Sequence, residues 1–179
     1  MKKNVVKDVA TVGLMVAFIE AAKFALAGIP NVELTSFFLI MFALYFGRLI
    51  YFAIPVFILI EGAVYSFGLW WIMYLYAWPL LVLATRLIGK RLSGFGLAML
   101  SGAFGLSFGA LCAIPYIFIG TFDGGVLQGL KVAAAYWVAG IPFDIIHGVA
   151  NFMIMLLLYK PIVRVMKRVK ESGFSDRSN

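Results

Sequence analysis

The chain has 179 residues, of which 64% are hydrophobic, 16% aromatic and only 13% charged, and its formal net charge is +7. Soluble globular domains are about 45–50% apolar and about 25% charged, so there are too few charges here to cover a water-facing surface. That argues against a soluble enzyme, a disordered tail and a nucleic-acid module.

The mean hydropathy of +1.01 and the continuous, non-alternating apolar runs indicate an all-α integral membrane protein rather than a β-barrel. A crossing helix needs about 20 apolar residues, which allows roughly six spans joined by short turns. The expected fold is a six-transmembrane-helix bundle forming one domain over residues 1–179, with basic ends at 1–7 and 160–179.

Span 1 is expected from about Val5 to Ala27, ending at Gly28-Ile29-Pro30, where Pro removes a donor and Gly loosens the backbone. The opening Met1-Lys2-Lys3 leads into this span without a small-residue cleavage site, so it reads as the first span and not as a removable signal. Span 2, about Thr35 to Gly47, is short and must be tilted, partly buried or extended by its flanks. Span 3 runs from about Tyr51 to Phe67, span 4 from about Trp70 to Ile88 with a kink expected at Pro79, and span 5 from about Phe95 to Ile119. The segment Gly120 to Gly140 is mixed, with a turn at Asp123-Gly124-Gly125 and a short helix over Val126 to Val138. Span 6 covers about Ile141 to Tyr159.

Six spans place both termini on one side. Lys2, Lys3, Lys7, Arg48, Arg86, Lys90, Arg91, Lys160, Arg164, Lys167, Arg168, Lys170 and Arg177 fall on that side, and only Lys23 and Lys131 on the other. The positive-inside rule makes the first side, and both termini, cytoplasmic. No internal repeat is evident, and the single Cys112 excludes an internal disulfide framework.

Acidic residues are informative because they are few. Glu20, Glu33, Glu61, Asp123 and Asp144 all fall in the outer half of the spans or in outer loops. Ionisable groups within spans face a cavity or a partner, so Glu20, Glu61, Asp144 and His147 point towards a polar cavity open to the outside. The plainer reading pairs Glu20 or Glu61 with Lys23. Asp144, His147 and Asn151 share one face of span 6. A structural hydrogen bond from His147 outweighs metal ligation, since no third ligand lies nearby. Trp71, Tyr74 and Trp78 share a face of span 4 and form either a ligand-facing wall or packing. In the outer loop, Thr35 or Ser36 is expected to cap span 2, leaving Asn31 and Glu33 as lid or ligand contacts. Gly13, Ala17, Ala21 and Ala25 form a small-residue stripe on span 1. Such a stripe serves packing inside the bundle or docking of another subunit, and spacing alone slightly favours the former. No P-loop, Ser-His-Asp or HExxH pattern is present, so any transport must draw its energy from a gradient or a partner.

Size, span count, the start Asp8-Val-Ala-Thr-Val-Gly13-Leu-Met-Val-Ala17 and the end Gly140-Ile-Pro-Phe-Asp144-Ile-Ile-His147-Gly-Val-Ala-Asn151 together resemble the substrate-binding S components of energy-coupling factor (ECF) vitamin importers. The start is similar to that family's AxxxA motif, with Gly13 in place of the first Ala. The resemblance implies no enzymatic activity and no cofactor, with ATP and Mg confined to partner subunits. It implies a vitamin bound at the extracellular face by the first outer loop and spans 4 to 6, and docking through Gly13, Ala17 and Ala21 on a transmembrane coupling subunit driven by two ATPases. The stretches Asn31-Val-Glu33-Leu-Thr35-Ser36 and Glu61-Gly-Ala-Val-Tyr65-Ser-Phe-Gly-Leu-Trp70-Trp71 are most similar to cobalamin-specific members. Pantothenate, pyridoxine-type vitamins, folate and queuosine precursors are the alternatives. Implied substrate contacts are Asn31, Glu33, Glu61, Tyr65, Trp71, Tyr74, Trp78, Asp144, His147 and Asn151. A membrane enzyme using Asp144 and His147, or a small gradient-driven transporter, are the rival classes.

Overall fold

The computed structural model describes residues 2–169, with side chains from Val5 onward. Lys170, Glu171, Asp176 and Arg177 of the expected basic tail lie outside the described residues. The described chain is helical, without a strand: α1 Lys2–Leu26, α2 Thr35–Tyr45, α3 Ile50–Tyr65, α4 Leu69–Ile88 and α5 Gly94–Val169. One-turn 3-10 helices at Gly47–Leu49 and Gly89–Arg91 join α2 to α3 and α4 to α5. Four stretches are long and apolar enough to cross a membrane, namely Val5–Leu26, Gly47–Tyr65, Leu69–Arg91 and Gly94–Val169.

The 76 residues of α5 do not form one straight rod. Gly124 (φ −160°, ψ 24°) and Gly125 (φ 80°, ψ 177°) break the helix, and the positive φ at Gly125 is a conformation that glycine alone adopts without cost. The chain folds back there into two antiparallel limbs, residues 94–123 and 126–169. Their seam is made of small residues. A Cβ on Gly105 would stand 2.8 Å from Gly148 Cα, and one on Gly120 would stand 2.8 Å from Gly129 Cα. Backbones approach this closely only where side chains are absent.

The turn at 123–125 follows the sequence expectation, but the mixed segment after it does not. The second limb is continuous helix through Gly140 and Pro142, so the expected separate start at Ile141 is corrected. Pro142 lacks only one amide donor, and a helix packed against neighbours tolerates that loss. Pro79 likewise sits inside α4 without ending it.

The short α2 is the centre of the molecule. Phe37, Leu39, Ile40, Met41, Phe42 and Ala43 are all buried, and α2 packs chiefly against α4 and α5, then α1. Burial thus resolves the expectation of a tilted, buried or extended span 2. Around it the outward faces are apolar, with Phe18, Phe52, Leu87 and Phe95 all more than half exposed. Outward-facing large hydrophobic groups suit a lipid surround.

A helix buried end to end must find partners for its terminal amides and carbonyls. At the N-terminus of α2, Glu33 accepts the Ser36 backbone N–H at 2.9 Å. At the C-terminus, Arg86 donates to the Ala43 carbonyl at 3.1 Å. The negative group sits at the positive end of the helix dipole and the positive group at its negative end. Thr35 and Ser36, expected as caps, are instead buried in the core. Glu33, with its longer reach, does the capping.

Candidate functional site

Polar side chains from the α1–α2 loop, the start of α2 and the second limb of α5 converge beside the backbone of the first limb. His147 Nε2 lies 3.2 Å from Glu33 Oε1. Asn151 Nδ2 donates to Ser36 Oγ at 3.1 Å, and Asp144 Oδ1 accepts the Gly109 backbone N–H at 2.8 Å. The i, i+3, i+7 face read from the sequence therefore points into the bundle, and Asp144, His147 and Asn151 are all buried. Gly109 must be glycine, because a Cβ there would run into the Asp144 carboxylate. Burial opposes the charge on the loop residue Glu33, but hydrogen bonding and charge from His147, with the Ser36 amide, hold its carboxyl below the ordinary range.

A second polar group lies between α1 and α3. Lys23 pairs with Glu61, and its Nζ is 3.4 Å from Tyr74 Oη. The same ammonium lies 5.4 Å from the Phe57 ring centre, 5.8 Å from that of Tyr65 and 5.3 Å from that of Tyr74, within the range of cation–π attraction. Lys23 therefore takes Glu61, while Glu20 Oε1 is left without a donor.

Aromatic rings connect the two groups. Phe57 to Tyr74 is 6.2 Å, Tyr74 to Trp78 is 5.3 Å, Trp78 to Phe108 is 5.4 Å and Phe108 to His147 is 4.8 Å between centroids. Trp78 is buried with its indole N–H unpartnered. The arrangement sets π faces, the two polar groups and an orphan donor along one run of rings.

Four expected contacts sit away from this centre. Trp71 turns from Tyr74 and Trp78, donates its indole N–H to the Ile58 carbonyl at 2.7 Å, and lines an apolar groove of about 400 Å³ between α3 and α4 with Tyr51, Pro55 and Pro79. Tyr65 is exposed at the end of α3, beside Lys23 and 6.5 Å from Phe24. Asn31 takes a left-handed conformation (φ 60°), one that Asn tolerates, and its side chain makes no hydrogen bond among the described residues. Glu61 faces α1 rather than the second limb of α5. The stripe on α1 is also corrected: Gly13, Ala17 and Ala21 are exposed, not packed inside the bundle.

Sequence reading missed Ser36 as the partner of Asn151, Arg86 as a cap, and Phe57 and Phe108 in the ring wall. Only the unmatched polarity of Asn151 within an apolar helix signalled a buried partner. Among the described residues, no three of His, Cys, Asp and Glu gather as metal ligands would. Comparison of the chain with protein-family models, curated proteins and solved structures finds no match.

Proposed function

We propose that this chain is the substrate-binding membrane subunit of an ECF-type importer. In this reading it crosses the cell membrane six times, with α5 supplying two passes and both termini cytoplasmic. It captures a vitamin at the outer face and passes it inward by docking on a coupling subunit driven by two ATPases. Cobalamin is the first ligand to test, followed by pantothenate, pyridoxine-type vitamins, folate and queuosine precursors.

The observation that carries the reading is a pair of partly buried polar groups, Glu33–His147 with Asn151 and Asp144, and Lys23 with Glu61, joined by a run of aromatic rings in a bundle that is apolar elsewhere. Buried ionisable groups in a membrane chain are costly and mark functional sites. The centre is closed, so admitting a ligand requires the loop 27–34 to lift and the Glu33–His147 contact to part. The exposed stripe Gly13, Ala17, Ala21 supports docking of a second membrane subunit, since small residues allow close helix approach. A Cβ added at Gly13 would meet nothing within 4 Å.

Co-expression with a coupling subunit and its ATPases, followed by reconstitution into liposomes, tests the proposal. ATP-dependent uptake of radiolabelled cobalamin or one of the alternative vitamins is expected. Uptake by this chain alone, driven by a proton or sodium gradient, would overturn it.

A further inference from the structure

The groove between α3 and α4 belongs to two stretches that are long and apolar enough to cross a membrane. Trp71 near the start of α4 meets Ile58 late in α3, so the two helices run antiparallel. The groove opens outward. Ile54 and Ile58 are buried and form its floor, while Tyr51, Leu59 and Leu75 on its rims are about half exposed. Trp71 closes one end, and its indole N–H is tied to the Ile58 carbonyl at 2.7 Å, which fixes the ring as a wall.

Size selects the occupant. The walls run from Tyr51 to Leu59 and from Trp71 to Pro79, each about 12 Å long at 1.5 Å per residue. A volume of about 400 Å³ over that length gives a mean cross-section of about 30 Å². A helix with its side chains has a section of about 80–110 Å² and does not fit. A single hydrocarbon chain does, and hydrocarbon is what surrounds a spanning helix.

The end opposite Trp71 supplies charge. Arg48 precedes Tyr51 by three residues, which sets the two side chains on one face at the mouth of the groove. Lys90 and Arg91 follow α4 at the same end of the bundle, where a Cβ on Gly89 would lie 3.2 Å from Leu44 Cδ2, at the end of α2. Arg48, Lys90 and Arg91 are exposed. Among the described residues the ion pairs are Lys23–Glu61 and His147–Glu33, so none of these three cations is matched by a carboxylate.

Unmatched positive charge at one end of an apolar groove complements an amphiphile with a negative head. We propose that the α3–α4 groove binds one anionic phospholipid. One acyl chain lies along the groove from Tyr51 to Trp71 and fills the notch left by the small rings of Pro55 and Pro79. The phosphate sits at the mouth, held by Arg48 and the Tyr51 hydroxyl in the field of Lys90 and Arg91. Basic groups beside spanning helices hold such headgroups. The inference rests on residence in a membrane and not on the transport reading.

Native mass spectrometry of the full chain, released from micelles doped with equal amounts of phosphatidylglycerol and phosphatidylcholine, tests it. One phosphatidylglycerol per chain should be retained in preference to phosphatidylcholine. Arg48→Gln should weaken that retention about fivefold, the effect of one basic group near a headgroup. Leu75→Trp, which puts a ring into the groove and leaves every cation in place, should abolish it. Retention of neither lipid, or of both equally, overturns the proposal. So does retention unchanged in Arg48→Gln, and retention unchanged in Leu75→Trp would mean that the basic end attracts headgroups without the groove.

Discussion

Glu33 and His147, 114 positions apart in sequence, meet at 3.2 Å and tie the loop between α1 and α2 to the second limb of α5. The same carboxylate caps α2 through the Ser36 amide. One side chain therefore fixes the start of the central helix and closes the loop over the polar centre.

That double role gives a pH dependence with a definite sign. The Glu33 carboxyl is held below its ordinary range, so its contribution is present above the unfolded glutamate value of about 4.3. It is lost as pH falls through the lower folded value. Thermal unfolding followed by circular dichroism should show stability falling below about pH 4.3 in the parent and a shallower fall in Glu33→Gln. At neutral pH the variant should be less stable by about 1 kcal/mol, the usual worth of a helix cap.

The seam within α5 predicts intolerance at one glycine. In Gly105→Ala the new Cβ would lie 2.8 Å from Gly148 Cα and 2.9 Å from Gly148 N, and backbone cannot step aside as a side-chain tip can. A loss of about 1–3 kcal/mol is expected, typical of overpacking. Denaturant titration in mixed micelles measures it. A Gly105→Ala protein as stable as the parent would mean the limbs pack less closely.

The face of α1 predicts the opposite. Gly13 has open space around it, so Gly13→Trp should leave the stability within about 0.5 kcal/mol of the parent, as surface changes usually do. It should nevertheless abolish co-purification with a coupling subunit. Pull-down from membranes co-expressing the partner checks this, and retention of the partner would remove Gly13 from the docking face.

Much of the fold was legible where local chemistry decides it. Asp123-Gly124-Gly125 announced its turn because no other sequence so readily supplies a positive φ. Gly140 and Pro142 misled for a related reason. They weaken an isolated helix, but long-range packing against the first limb keeps this one intact. The inward face of Asp144, His147 and Asn151 followed from helical period alone. The partners on that face did not, since Ser36 stands 115 positions from Asn151 and Glu61 stands 38 from Lys23. Trp71 and Trp78 share a helical face, yet one turns to the groove beside α3 and the other into the core. A neighbouring helix decides that, and the period cannot register it.

The central claim is that the polar, ring-lined centre holds a vitamin. Mass spectrometry of small molecules released from the purified full chain, combined with calorimetric titration of cobalamin and the alternative vitamins, tests it most directly. One vitamin-class compound should be retained or bound at one per chain, and Trp78→Ala should weaken its binding at least tenfold. A chain that releases nothing and binds none of these compounds would contradict the account.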